Sequence, residues 1–346
     1  MSRRVYISRN YKHPNCGGGR ARMDIESIMQ SMGFENIGLK CTTSRNGVVH
    51  SLRNAYGFLR AIRRLKKGDV VVVQYQMKMY KRLCKAAKKC GAKVICLIHD
   101  LDSWREKKLT PEQEVPLLNM ADVLLTHNHA MRRWLSEHGC TAPMVDYEIM
   151  DYLPGDSAAP HLYPDNGNLS LFFVGNLSSE TNGWIYELAA LIPHRKIYLY
   201  GPGFDVEKAA TLPNLLHMGV MPDTEIIESH NGKFGVSWYG SSLDEGVGMV
   251  GEYMAINNPH KVGLYLRCNA PVVVWSKAGR AKLLLKKGVA LAVDSLRNLD
   301  DALTGISAED YYGMIENVAN MNGKLKRGHY LRKAVQNALE IIKEHE

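Results

Sequence analysis

The first half of the chain alternates apolar runs with amphipathic stretches. Residues 69–74 (DVVVVQ) and 93–99 (KVICLIH) are nearly continuous in Val, Ile and Leu. Strands of a parallel sheet covered by helices on both faces have this pattern. The predicted strands are 4–8, 69–74, 93–99, 122–126 and 144–146, and the predicted helices are 21–32, 52–65, 79–90, 115–120 and 130–137. We therefore predict a doubly wound α/β domain.

A second series of the same kind follows residues 153–168, a stretch rich in Pro and Gly that is typical of a linker. The predicted strands are 169–174, 196–200, 215–218, 234–238, 271–275 and 289–293, and the predicted helices are 184–191, 222–230, 259–267, 278–286, 311–321 and 330–344. We predict an α/β protein of two Rossmann-like domains facing across a cleft. The domains are 1–152 and 169–323, and 324–346 forms a C-terminal helix that can pack back on the first domain.

Helix 52–65 has a marked apolar periodicity. Its apolar residues recur at steps of three and four, and we expect them to face the sheet: Leu52, Tyr56, Leu59, Ile62 and Leu65. Its basic residues then occupy the remaining surface: Arg53, Arg60, Arg63 and Arg64.

Composition narrows the class of protein. Of 346 residues, 45% are hydrophobic and 23% charged, which argues against disorder and against a disulfide scaffold. No apolar run is long enough to span a bilayer, and residues 1–11 lack the apolar core of a signal peptide. The seven cysteines form no C-x-x-C pair and indicate free thiols in a reducing compartment. We expect a cytoplasmic protein.

Charge is distributed unevenly. Residues 1–108 contain 24 Lys and Arg against 7 Asp and Glu, whereas the chain as a whole has a net charge of +9. The candidate partners are a nucleic acid, an anionic membrane surface and an acidic ligand, and the alternative is a solvated basic face without a partner. The chain has no recognisable nucleic-acid-binding motif, so we expect no nucleic-acid partner.

Two Rossmann-like domains would bind a ligand at the carboxyl ends of their strands. The glycine-rich segments 16–20 and 201–204 do not match G-x-G-x-x-G, and no G-x-x-x-x-G-K-[ST] occurs. Dinucleotide-dependent dehydrogenases and P-loop NTPases are therefore disfavoured.

An anion site is predicted where the second domain has its Asn-Pro helix start. Asn258 is a good N-cap and Pro259 suits the first helical position. Lys261 then lies in the first turn, where the helix dipole favours anions. The free N–H groups of this turn and the Lys261 ammonium would together hold a pyrophosphate. The alternative is a solvated surface lysine.

The same region carries a family resemblance. Residues 257–266 (NNPHKVGLYL) and 271–278 (PVVVWSKA) resemble bacterial β-1,6-galactofuranosyltransferases and the glucosyltransferases that extend glycans on serine-rich adhesins. The resemblance continues in FVGNLS, LYGPGF, FGVSW and GEY between residues 173 and 253. In the first domain it is looser, through the glycine-rich turn, Ala21-x-x-Asp24 and His99-Asp100. It implies a GT-B enzyme that uses a UDP-sugar.

The resemblance also implies a set of donor-binding residues: Gly175, Asn176, Tyr200, Gly201, Trp238, Asn258, His260, Lys261 and Tyr265. A turn without a side chain at Gly175 would let the nucleotide approach the backbone, although an ordinary βα turn remains an alternative. Tyr200 would stack on uracil or pack in the core. Asp244, Glu245 and Glu252 resemble the E-x7-E pair of retaining enzymes, one residue short.

On the acceptor side, His99 and Asp100 follow a buried strand, and either could act as general base. A loop histidine with a hydrogen bond is the alternative. We expect Gly17, Gly18 and Gly19 to form an acceptor-side loop. Asp100 and Asp102 also mimic the metal-binding D-x-D of GT-A enzymes, which we set aside because the phosphate-type helix start lies in a second complete domain.

The predicted activity is transfer of a hexose (galactofuranose, glucose or galactose) from a UDP-sugar to a hydroxyl of a lipid- or protein-linked glycan. We expect inversion, no metal and no cofactor, and closure of the domains over the donor. The basic first domain would hold the enzyme at an anionic membrane surface, and a homo-oligomer is left open. The alternatives are a non-catalytic GT-B partner subunit and a basic nucleic-acid-binding protein.

Overall fold

The computed structural model describes residues 2–12, 17–105, 107–157, 159–244 and 253–344. The chain divides into two compact units, one of Met1–Asp151 with Arg327–Glu346 and one of Tyr152–Lys326. Each unit contains a six-stranded sheet whose strands pair in parallel. The predicted α/β class and the two Rossmann-like domains are confirmed.

The sheet of the first unit has the strand order β2-β1-β3-β4-β5-β6. Its strands are β1 (Arg4–Tyr6), β2 (Glu35–Asn36), β3 (Val70–Tyr75), β4 (Lys93–Ile98), β5 (Val123–Thr126) and β6 (Met144–Asp146). The helices between them are α1 (Gly17–Ser31), α2 (Gly47–Arg64), α3 (Tyr80–Cys90), α4 (Asp102–Arg105), α5 (Pro111–Leu118) and α6 (His129–Glu137). The strand order reverses between β1 and β3, which is where open α/β sheets form a crevice at their carboxyl edge.

The sheet of the second unit has the order β12-β11-β10-β7-β8-β9. Its strands are β7 (Leu171–Val174), β8 (Ile197–Tyr200), β9 (Leu215–His217), β10 (Phe234–Ser237), β11 (Val272–Trp275) and β12 (Ala290–Val293). Its helices are α7 (Trp184–Leu191), α8 (Val206–Ala209), α9 (Asp223–Ser229), α10 (His260–Arg267), α11 (Ala281–Lys286), α12 (Leu299–Thr304) and α13 (Ala308–Lys326). Here the order reverses between β7 and β10.

The last helix, α14 (His329–Glu344), packs in the first unit against β5, β6 and α1. Its first turn is capped by the Asp151 carboxylate, which accepts the backbone N–H groups of Tyr330 (3.2 Å) and Leu331 (2.7 Å). Burial raises the pKa of Asp151 to about 7 even though both donors favour the charged form.

The predicted orientation of helix 52–65 is wrong in part. Leu52, Tyr56 and Leu59 do not face the sheet but are exposed to solvent. The helix instead buries a narrower face: Gly57, Phe58 and Ala61. A Cβ on Gly57 would stand 3.3 Å from Cγ of Leu39, so close packing of backbone on this small face fixes the rotation of the helix.

A second difference concerns the glycine-rich segment. The pattern predicts an acceptor-side loop at Gly17, Gly18 and Gly19 and a helix from residue 21, but α1 begins at Gly17, so these glycines form the first turn of a helix. Glycine is a poor helix former, so tertiary packing overrides propensity here. The six described cysteines are free thiols, and Cys16 lies outside the described residues. Within the described ranges, no helix has both the length and the apolar character needed to cross a bilayer.

Candidate functional site

The carboxyl edge of the second sheet is formed by backbone at two glycines. Gly175 follows β7 with φ +155°, and Gly201 follows β8 with φ +144°, conformations that side chains rarely adopt. A Cβ on Gly201 would lie 1.8 Å from the carbonyl oxygen of Gly175, while the Gly175 N–H donates to the carbonyl of Tyr200 (2.9 Å). The two turns are therefore in direct backbone contact, and the edge has no side chain at these positions.

Lys261, in the first turn of α10, places its ammonium group at this edge. A Cβ on Gly175 would stand 3.2 Å from Nζ of Lys261. The same nitrogen lies 4.0 Å from the ring centroid of Phe173 and 4.7 Å from that of Tyr239. Aromatic faces attract a cation but only partly replace its hydration.

Burial lowers the pKa of Lys261 to about 7. Among the described residues its ammonium makes no hydrogen bond or ion pair, and only the two ring contacts are found. A desolvated cation without a counter-charge costs folding free energy. An anion bound over Gly175 would supply the missing charge.

Tyr265 holds the strand ends beneath this site. Its hydroxyl donates to the carbonyl of Val236 on β10 and accepts the N–H of Val174 on β7, both at 3.1 Å. Its ring occupies the space left by Gly235, where a Cβ would lie 2.2 Å from the ring. Tyr265 is fully buried, so it positions the diverging ends of β7 and β10.

Tyr200 and Trp238 also lie in the core. The Tyr200 hydroxyl accepts the N–H of Asn231 (2.7 Å), and the indole N–H of Trp238 donates to the carbonyl of Ser242 (3.0 Å). Tyr200 is 1% exposed, so its ring has no free face for a base. Of the two roles considered for Tyr200, the structure shows core packing, and uracil stacking is wrong for this conformation.

Asn258 is not the N-cap of α10. The capping position belongs to Pro259, and the helix begins at His260. The Asn258 side chain is buried instead and its Oδ1 accepts a hydrogen bond from Nε of Arg280 (2.8 Å). The sequence pattern placed the cap one residue too early, because it does not show that Arg280, 22 residues away in the chain, engages the Asn258 side chain.

Two further predicted donor residues, Asn176 and His260, contact neighbouring groups of the second unit. Asn176 is exposed, and its Oδ1 accepts the N–H of Ser178 (3.1 Å), which shapes the turn after β7. The His260 ring stacks on Tyr152 with centroids 4.6 Å apart. Asp244 pairs with Arg297 (3.0 Å), and Glu245 and Glu252 lie outside the described residues.

In the first unit, His99 and Asp100 follow β4 as predicted. His99 is 5% exposed, and its Nε2 lies 2.7 Å from Oε1 of Gln74. The Asp100 side chain is 18% exposed and pairs with Arg105. Asp102 accepts a hydrogen bond from Nε2 of Gln76 (2.6 Å). Within the part of the chain that the structure describes, no group of three or more His, Cys, Asp and Glu side chains is arranged to hold a metal ion.

A cavity of about 310 Å³ opens at the same edge of the first sheet, lined by Gly18 and Gly19 together with three basic residues. These are Arg9, Lys12 and Arg22. Arg9 donates to the carbonyls of Gln74 (2.8 Å) and Gln76 (3.2 Å). Burial, and then the charge of Arg9, lowers the pKa of Arg22.

Sequence reasoning missed Arg9 and Arg22 as members of this cavity. The available signal was their position, Arg9 just after β1 and Arg22 one turn into the glycine-rich helix. Helix placement at Gly17 is what brings Arg22 over Gly18, to whose carbonyl it donates (3.2 Å).

Comparison with known proteins gives the family. Residues 4–149 match the model for the glucosyltransferase 3-like N-terminal domain, and residues 171–338 match the model for the glucosyltransferase 3-like C-terminal domain. The chain is 25% identical over 334 residues to β-1,6-galactofuranosyltransferase WbbI of Escherichia coli K12, covering 94% of this chain and 95% of that one. It is 24% identical to glucosyltransferase 3 of Streptococcus gordonii, covering 72% of each chain.

The fold is shared with a UDP-forming α,α-trehalose-phosphate synthase from Burkholderia xenovorans. The TM-score is 0.60 at 11% identity, with 99% of this chain and 100% of that chain covered. The two six-stranded parallel sheets and this likeness establish the GT-B fold. The chain belongs to the glucosyltransferase 3-like family and is a glycosyltransferase.

Proposed function

We propose that this enzyme transfers a hexose from a UDP-sugar to a hydroxyl group of a glycan acceptor. The observation that carries the proposal is the desolvated ammonium of Lys261 above the bare backbone of Gly175. A nucleoside diphosphate fits this edge because its charge would neutralise Lys261 and its bulk can lie where no side chain projects.

The same contact serves the chemical step. As the bond between C1 of the sugar and the β-phosphate oxygen breaks, negative charge accumulates on the departing diphosphate. A cation already fixed beside that oxygen stabilises the transition state more than the ground state, which is the requirement for catalysis. The donor side of the reaction therefore depends on Lys261.

On the acceptor side we propose Asp100 or His99 as the general base. The base takes the proton of the acceptor hydroxyl while its oxygen forms the new bond to C1, and UDP leaves with the electrons of the old bond. Direct displacement inverts the anomeric centre. Asp100 is favoured because it is the more exposed of the two, while His99 is tied to Gln74 and would orient the loop.

The identity of the hexose is proposed from the names of the relatives. The names of the two relatives favour galactofuranose or glucose as the hexose, with galactose as a further candidate. We propose that no metal is needed, since Lys261 and the N-terminal N–H groups of α10 together stabilise the charge of the departing diphosphate. We also propose that the acceptor is a lipid- or protein-linked glycan assembled in the cytoplasm.

A transfer assay with a panel of UDP-hexoses and glycan acceptors tests the proposal. The wild type should release UDP and form product in the presence of EDTA. Asp100→Asn should lower kcat by about 10²-fold or more with little change in UDP affinity, because a base acts in the transition state. If this chain alone transfers no hexose and transfer occurs only when a partner protein is present, the result would favour a non-catalytic GT-B partner subunit.

A further inference from the structure

Helix α2 exposes an apolar stripe to solvent. Val48, Leu52, Tyr56 and Leu59 are 67%, 65%, 58% and 44% exposed, and their spacing of four, four and three residues places them on one face. In a monomeric soluble protein, single exposed apolar residues need no explanation, but a contiguous stripe along three turns of a helix marks an interaction surface.

Arginines border this stripe, and α2 itself carries no acidic residue. The arginines on α2 are Arg53, Arg60, Arg63 and Arg64. Between residues 36 and 99 the chain has fifteen Lys and Arg residues and a single acid, Asp69, which is 2% exposed and paired with Arg3. Glu35, just before this range, is 43% exposed and pairs with Arg3 and Arg64. The surface around the stripe is therefore predominantly basic.

The neighbouring helix extends the basic surface. Helix α3 packs beside α2 and also contains no Asp or Glu. Its exposed residues include five Lys and Arg: Lys81, Arg82, Lys85, Lys88 and Lys89. The two helices together present apolar side chains next to a field of positive charge.

This combination selects among possible partners. A second copy of this chain in a two-fold contact would bring each arginine row against itself, because such an interface is self-complementary. A nucleic acid would use the charge but leave the leucines and valine in contact with phosphate. An anionic lipid surface uses both features, since apolar side chains enter the boundary between headgroups and acyl chains while arginines pair with lipid phosphates.

We propose that α2 is an interfacial helix that docks the first unit on an anionic membrane, with Val48, Leu52, Tyr56 and Leu59 inserted and the arginines on the headgroups. The contribution of insertion separates this from simple charge attraction. The docking proposal rests on surface features that are independent of the Lys261 site. It can therefore hold or fail whether or not the proposed activity is correct.

The test is co-sedimentation of the full chain with vesicles of phosphatidylcholine alone and with phosphatidylglycerol added. The wild type should pellet with the anionic vesicles and not with the neutral ones. The double variant Leu52→Gln/Leu59→Gln should raise the lipid concentration for half-binding at least tenfold at low salt. Arg60→Gln/Arg63→Gln should also raise this lipid concentration and should make binding less dependent on salt. Arg64 is left intact because it pairs with Glu35.

The matched control is Leu162→Gln/Val220→Gln, which removes two apolar residues of the second unit that are more exposed than Leu52 and Leu59, and it should leave vesicle binding unchanged. Melting curves and UDP affinity confirm that each variant is folded. The proposal is overturned if the wild type does not pellet with anionic vesicles, or if Leu52→Gln/Leu59→Gln binds them as well as the wild type. A fall in the solution mass of that variant would identify an interface between copies instead, and oligonucleotide binding insensitive to the leucines would identify a nucleic-acid surface.

Discussion

A Cβ atom on Gly175 would stand 3.2 Å from the ammonium nitrogen of Lys261. The glycine ends β7 and the lysine lies in the first turn of α10, so the two meet only because β7 and β10 are neighbours in the sheet. The absence of a side chain on one and the desolvated charge on the other are the two features on which the proposed anion site rests.

Gly175→Ala should therefore weaken UDP binding by about tenfold, or about 1.4 kcal/mol. The new methyl would be held at φ +155° and pressed against Lys261 and Phe173. Titration calorimetry with UDP measures the loss. Gly219→Ala is the control, since a Cβ there meets no atom within 4 Å at φ +84°, and it should cost about 1 kcal/mol of stability and leave UDP affinity unchanged.

Tyr265→Phe tests the bridge between β7 and β10. Removing the hydroxyl leaves the N–H of Val174 and the carbonyl of Val236 without that partner in the core, which should cost about 1–3 kcal/mol in the free energy of unfolding. Urea unfolding followed by tryptophan fluorescence gives the value. Tyr198→Phe, on the partly exposed side of β8, should change stability by less than about 0.5 kcal/mol. Equal effects of the two changes would contradict the bridging role.

The buried carboxyl of Asp151 should make the stability of the first unit depend on pH. Its pKa is about 7 in the folded protein, above the ordinary value near 3.8, because the carboxyl is buried. Ionisation therefore opposes folding. The cost is absent below about pH 4, grows as pH rises from about 4, and is complete above about pH 7.

Asp151→Asn keeps an acceptor for the N–H groups of Tyr330 and Leu331 but cannot ionise. The variant should be more stable than the wild type at pH 8, by on the order of 2 kcal/mol, and no more stable near pH 4. Asp156→Asn is the control of opposite sign. That exposed carboxylate pairs with Lys326 and its pKa is lowered, so its removal should not stabilise the protein at pH 8. A stabilisation of Asp151→Asn that does not vary with pH would rule out this linkage.

The hydrophobic pattern was enough to predict both sheets, because the strands are buried on two faces and consist of runs such as 70–73, all Val and at most 2% exposed. Short elements such as β2 and α12 were missed, since two to six residues carry too little periodicity. The rotation of α2 was predicted wrongly because Leu52 and Leu59 mimic a core stripe, while the true contact is through Gly57. Sequence spacing shows a period but not which face has a neighbour.

In the candidate site, too, some residues could be predicted from local sequence and others only from the folded structure. Gly175 and Lys261 could be singled out because turn glycines and a lysine at a helix start are local signals. The bridging role of the Tyr265 hydroxyl could not be predicted, since it joins two strands that only the folded sheet brings together. The only local signal for Arg9 and Arg22 is their position after β1 and within α1, and they line one cavity because of the register of β1 and the start of α1.

Lys261→Met is the variant that isolates the central claim. An ordinary lysine pKa lies near 10.5, so a folded-state value of about 7 means that the charged form opposes folding below pH 7 and that this cost fades as pH rises toward 10.5. The unliganded variant should therefore melt at a higher temperature than the wild type at pH 7. That result also shows that the variant is folded.

Titration calorimetry of UDP binding at pH 7 and pH 8.5, with wild type and Lys261→Met, is the most direct measurement. The wild type should bind UDP with proton uptake and lose up to tenfold in affinity per pH unit above 7, since the anion binds the protonated amine. Lys261→Met should bind UDP about 10 to 100 times more weakly at pH 7, the scale of a charge-assisted hydrogen bond, and show no such slope. Wild-type UDP affinity in the folded Lys261→Met variant at pH 7 would contradict the assignment of the donor site.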